Sequence, residues 1–159
     1  MKKIIALLIV ISCVACSFTA FPTQAANAKE SIIERLNNGY YYETTIEGEE
    51  PFLTISSKAT SQYITKTKTT KLKNSAGDVL WSVSIKATFS YDGTTSKCTS
   101  CTPSATAYAS SWSIKSVTSS KSGNSATATA VATHTVIFGI SQDTTKSVTI
   151  KCSPTGVVS

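Results

Sequence analysis

Methionine is absent after Met1, and arginine and histidine each occur once, at Arg35 and His134. A nucleic-acid surface draws on arginines interleaved with aromatic side chains, so a chain whose cations are almost all lysines has no nucleic-acid partner by this reading. Seven glycines are scattered with no Gly-rich run to cradle a phosphate. Prolines number four, too few for the Pro-rich, Ser/Thr-rich stalk that the hydroxyl content would otherwise allow. Such a stalk also has no use for Trp81, Phe89, Tyr91, Trp112 and Phe138, which fall inside regular patterns.

The first residues have the three parts of an export signal. Lys2 and Lys3 precede an apolar run from Ile4 to Val14, and small residues at Thr23-Gln24-Ala25 and Ala26-Asn27-Ala28 offer cleavage after Ala25 or Ala28. A membrane span needs about 20 apolar residues, and this run is broken by Ser12, Ser17 and Thr19 before Pro22. Lipidation at Cys13 is the other alternative, set against the closeness of Lys3 and the apolar stretch that continues to Phe21. The expectation is a cleaved leader over residues 1–28 and a secreted, extracellular product.

Charge divides the rest of the chain. Glu30, Glu34, Glu43, Glu47, Glu49 and Glu50 make residues 29–50 acidic, whereas eleven lysines face only Asp78, Asp92 and Asp143 in 51–159. A basic exported domain suits anionic wall polymers or membrane surfaces, and lysines on strand edges also oppose aggregation. Within the acidic part, Ser31 followed by Glu34 has the capping-box spacing and Asn37-Asn38-Gly39 provides a stop. The spacing predicts a short helix over Ser31–Leu36, or else a flexible leader, with the β domain beginning at 51.

That domain reads as strands. Val79, Trp81, Val83, Ile85, Ala87, Phe89 and Tyr91 alternate with polar residues except at Leu80, the pattern of a strand with one buried face. Asn74-Ser75-Ala76-Gly77-Asp78 has hairpin-turn chemistry, which pairs that strand with Gln62 to Lys73. Asp92-Gly93 and Ser122-Gly123-Asn124 are further turns, and Trp112 and Ile114 alternate with Ser113 and Lys115. Ala126, Ala128, Ala130 and Ala132 put small residues on one strand face, suited to bulky neighbours such as Trp81 or Trp112. Val148, Ile150 and Cys152 close the series. Six to eight strands predict an all-β, antiparallel two-sheet sandwich, with a closed barrel as runner-up.

Cys98, Cys101 and Cys152 remain after the leader. Outside the cell disulfides are the default, and three cysteines form one internal bridge at most. Pairing Cys98 with Cys152 closes a loop of about 55 residues, worth up to roughly 4 kcal/mol in the chain-entropy account. The Cys98–Cys101 spacing admits a redox dithiol, although that chemistry wants a helix N-terminus. Cys98, Cys101, Cys152 and His134 admit a Cys₃His zinc site, although no second close pair is present. As a general base, His134 needs a nucleophile and an orienting carboxylate, and Asp78, Asp92 and Asp143 all fall in predicted turns. No catalytic set and no cofactor site emerges.

Lys73 to Ser82, Phe89 to Gly93, Cys98, Ser122-Gly123-Asn124 and Cys152 to Gly156 resemble small secreted proteins of Gram-positive (Firmicutes-type) bacteria that form a family of unknown function. The resemblance spans Lys71 to Val158. It implies export and an immunoglobulin-like sandwich, implies that Cys98 and Cys152 are the shared cysteines with Cys101 the extra one, and brings no catalytic residues. The functional expectation is a secreted, non-catalytic binding or structural module, whose partner would be an anionic wall polymer, a glycan or a surface protein. A basic, bacteriocin-like factor acting on anionic surfaces is the alternative, and an enzyme is a third.

Overall fold

The computed structural model describes residues 31–48, 61–136 and 139–159. The expected export leader with its two cleavage points lies outside these residues, as do Glu49, Glu50, Pro51 and Phe138. Eight strands follow one another: β1 (Ser31–Arg35), β2 (Tyr41–Gly48), β3 (Gln62–Lys73), β4 (Val79–Tyr91), β5 (Ser96–Ala107), β6 (Trp112–Ser122), β7 (Ser125–Thr135) and β8 (Ser141–Lys151). They build a five-stranded sheet in the order β1-β2-β3-β4-β5 and a three-stranded sheet in the order β6-β7-β8. All pairings are antiparallel. The architecture is the expected all-β two-sheet sandwich. Immunoglobulin domains reach such a sandwich through Greek-key connections; here each sheet is a meander in sequence order. No helix among the described residues is long and apolar enough to cross a membrane.

The period-two reading of β4 translates directly into packing. Trp81, Val83, Ile85, Ala87 and Phe89 are each no more than 1% exposed. Facing them across the sandwich, Ala126, Ala128, Ala130 and Ala132 of β7 are equally buried. Bulky side chains on one sheet meet methyl groups on the other, which lets the layers approach without voids. Leu80, the one residue of β4 out of phase, sits at a register shift: Leu72 pairs with Trp81 but Lys73 pairs with Val79. The extra residue forms a bulge, and its carbonyl accepts hydrogen bonds from the N–H groups of Tyr108 and Ala109.

The helix expected at Ser31–Leu36 is corrected. Ser31–Arg35 is strand β1, paired from Ser31 opposite Thr45 to Arg35 opposite Tyr41. Five or six residues nucleate a helix poorly, whereas β2 offers a ready edge. Asn37-Asn38-Gly39, read as a helix stop, is the hairpin turn, with Gly39 at φ 81° and Leu36 N–H donating to the Tyr40 carbonyl at 2.9 Å. Residues 31–48 thereby join the five-stranded sheet, and their acids meet the lysines beyond them. Glu43 pairs with Lys73 and Glu34 with Lys146, both at 2.7 Å.

Candidate functional site

Five strands cover three, so the inner face of the larger sheet extends past β8. On β3 the inward positions are Ile64, Lys66, Lys68, Thr70 and Leu72, because they pair with Phe89, Ala87, Ile85, Val83 and Trp81 of β4. Leu72 and Ile64 are buried in the core. Lys68 lies where the overhang begins. Ile32 of β1 and Thr44 and Ile46 of β2 continue the same face outward.

Residues 152–159 fold back on themselves and supply the opposite wall. Ser153 N–H and Val157 carbonyl close their turn at 2.8 Å, and Ser159 and Lys151 exchange two backbone hydrogen bonds of 2.9 Å. The turn is fixed by Gly156, at φ 84°, lying against the Tyr91 ring. Between the two walls runs a groove of about 440 Å³ lined by Ile32, Thr44, Ile46, Lys68, Val157 and Val158. It continues past Lys68 into a more polar stretch bordered by Glu34, Thr70 and Lys146.

Electrostatics in the groove are uneven. Lys146 is held by Glu34 and sits 3.9 Å over the Tyr42 ring, a cation–π contact. Burial, and then the Glu34 charge, push the Tyr42 hydroxyl above its ordinary value. Thr44 and Thr70 satisfy one another through a 2.8 Å hydroxyl–hydroxyl bond. Lys68 stands apart. Burial pushes its ammonium below the ordinary lysine value, and no carboxylate or carbonyl among the described residues compensates it.

The residues singled out from the sequence do not assemble elsewhere. His134 pairs across the strands with Trp112, their rings 4.6 Å apart at an interplanar angle of 9°, and Trp112 stacks in turn on Trp81 at 6.1 Å. Asp143 is opposite Thr133, so its carboxylate lies on the other face of the sheet from His134, where it takes Lys115 at 2.6 Å and Thr133 at 2.7 Å. Those two partners hold the Asp143 carboxyl below its ordinary value. Asp92 is engaged by the Thr94 and Thr95 N–H groups of its own turn. Among the described residues His134, Asp92 and Asp143 are not brought into a nucleophile–base–acid array.

The cysteines gather at the other end. Cys98 N–H donates to the Gly123 carbonyl and Cys152 N–H to the Asn124 carbonyl, so both flank the β6–β7 turn. In this structure all three cysteines are free thiols, Cys98 and Cys152 buried and Cys101 half-buried. A second register shift, in which Phe89 pairs with Cys98 and Ala87 with Cys101, turns both cysteines of the pair toward the core. The Cys₃His set is not brought together: His134 lies nine residues along β7 from Ser125, about 30 Å at strand rise, whereas Cys152 adjoins the Ser125 end. Among the described residues no group of three or more His, Cys, Asp or Glu side chains is placed to hold a metal ion. A redox dithiol wants a thiol of lowered pKa; burial, followed by the neighbouring Cys101, pushes Cys98 up.

Among the described residues the run Tyr40-Tyr41-Tyr42 is not one flat patch: Tyr42 is buried, Tyr40 packs against the core, and Tyr41 is half-buried on the other face of β2, while Tyr63 and Tyr108 are exposed. The groove itself was missed in the sequence reading, which set residues 29–50 aside as a leader. Its sequence signal is the presence of lysines, Lys66 and Lys68, at inward positions of β3. Compared with family models, with curated proteins and with solved structures, the chain matches none.

Proposed function

We propose that the chain is an exported, non-catalytic binding module that presents the groove between its overhanging sheet and its folded-back C-terminal residues, with the core stapled by Cys98 and Cys152 once oxidised. The observation that carries this reading is the groove's composition. Threonine, serine and lysine dominate the outer faces of both sheets, where Ile33 and Tyr63 stand exposed among them, and Ile140 is exposed elsewhere. Ile32 and Val157, 64% and 66% exposed, instead come together with Ile46 and Val158 in one concavity. Exposed aliphatic side chains gathered in one concavity are where a soluble protein meets a ligand. Further support comes from the dispersal of His134, Asp143 and Asp92 into stacking, ion-pair and turn roles.

The experiment is ligand profiling of the mature chain against glycans, wall polymers and amphiphiles, with His134→Ala and Cys101→Ser alongside. Saturable binding, unchanged in both variants, is expected. Binding to no class of ligand removes the reading, and so does turnover of a ligand that stops in His134→Ala.

A basic factor for anionic surfaces is the second reading. Lys97 and Lys121 flank a shallow hollow beside Cys98. Binding of that kind falls steeply as salt rises, whereas a groove closed by aliphatic contacts tolerates salt.

A further inference from the structure

We infer that the groove is a site for a single-chain aliphatic carboxylate, a fatty-acid-like monoanion, with Lys68 as the counter-ion for its head group. The inference rests on the binding-module reading and names the ligand class of the same groove.

Three features of the site select this chemistry. Its walls are branched aliphatic side chains, Ile32 and Ile46 from the sheet and Val157 and Val158 from the folded-back residues. No aromatic ring lines this part, so a flat ligand finds nothing to stack on, while a flexible alkyl chain gains from every methylene it buries. A volume of about 440 Å³ falls within the range of small-molecule sites.

The charge pattern gives the ligand its sign and direction. Among the described residues Lys68 has no hydrogen-bond or ion-pair partner, and its partial burial disfavours the ammonium, so an anion placed beside it is favoured. Lys146 adds positive charge beyond it, already balanced by Glu34. Ser159 borders the aliphatic part, its carbonyl accepting from Lys151 N–H at 2.9 Å. The anionic head therefore lies at Lys68, with the tail running between Ile46 and Val157. Lys66, the next inward lysine, donates to the Gly48 carbonyl at 3.2 Å and does not line the groove, so the single ammonium of Lys68 matches one carboxylate.

The test is calorimetric titration of the mature chain with dodecanoate below its micelle concentration, set against dodecanol, dodecyltrimethylammonium and acetate. Dodecanoate is expected to bind with 1:1 stoichiometry and the other three much more weakly. Lys68→Met keeps the aliphatic stem and removes the charge; it is expected to weaken dodecanoate by about tenfold or more, a loss typical of an uncompensated charge contact. Lys86→Met, on the outer face of β4, is expected to leave binding unchanged. Folding of the Lys68 variant is not at risk. The lowered folded value means that the charged form is disfavoured by folding, so this variant should melt at or above the wild type at neutral pH. Absence of dodecanoate binding, equal affinity for dodecanol, or undiminished affinity in Lys68→Met each overturns the assignment. A chain that ignores dodecanoate but holds another ligand in the profile overturns this assignment alone; one that holds none overturns the module reading too.

Discussion

Gly93 and Gly156 have nearly the same backbone, φ 87° and 84°, yet very different surroundings. A Cβ at Gly93 meets nothing within 4 Å, whereas one at Gly156 falls 2.5 Å from two atoms of the Tyr91 ring. Tyr91 is buried and its ring has nowhere to retreat. Alanine at either site pays the left-handed backbone cost of about 1–2 kcal/mol. Only Gly156→Ala adds overpacking, typically about 1–3 kcal/mol. Chemical denaturation of the two variants should therefore separate them by about that second amount, with Gly156→Ala the less stable. Equal destabilisation would show that the Tyr91 contact does not hold the folded-back residues in place, and with them the Val157–Val158 wall of the groove.

At the level of whole strands, how much can be read ahead depends on whether alternation survives. β4 was legible because Val79–Tyr91 keeps period two apart from Leu80, and β3, Gln62–Lys73, was legible as its hairpin partner across the Gly77 turn, although its inward face carries Lys66, Lys68 and Thr70. β5 was not identified as a strand, for a physical reason: the bulge at Thr88/Phe89 shifts its phase by one, so Cys98, Cys101 and Ala105 all contact the core although their spacing alternates only after residue 101. β1 failed differently. Local preference favoured a helix, and pairing with β2 decided the outcome, a choice no local window contains. The groove was illegible for the same reason, since its walls come from β1, β2, β3 and the last three residues. The alanine face of β7 was legible and is testable. Ala128 is 0% exposed against the bulky face of β4, so Ala128→Leu should lower stability by about 1–3 kcal/mol through overpacking. Val131→Leu, on the outward face of the same strand, should stay within about 0.5 kcal/mol. Denaturant midpoints that do not distinguish the two would mean that the sheets are not packed as closely as the alanines imply.

Across the whole molecule, the two sheets are joined in sequence only by the β5–β6 connection, and the last strand closes the sandwich from the far side. Cys98 belongs to the larger sheet and Cys152 follows the last strand of the smaller one, with their N–H groups anchored to the adjacent carbonyls of Gly123 and Asn124. Cys101 competes, since the bulge turns it to the same face as Cys98. Magnitudes favour the long link. A four-residue ring removes about 2 kcal/mol of unfolded-state freedom and a loop of about 55 residues about 4 kcal/mol. Burial pushes both the Cys98 and Cys152 thiols above their ordinary value, which slows exchange once a bridge has formed. The expected outcome for oxidised, secreted protein is a Cys98–Cys152 crosslink in non-reducing peptide mapping, with Cys101 alkylated. Reduction should then lower the unfolding free energy of the wild type by up to about 4 kcal/mol and leave Cys152→Ser unaffected. A Cys98–Cys101 crosslink would overturn this pairing and make the bulge in β5 the feature that directs oxidation. Reduction that leaves the wild-type melting temperature unchanged would remove the staple altogether, leaving the alanine-to-tryptophan packing to hold the two sheets together.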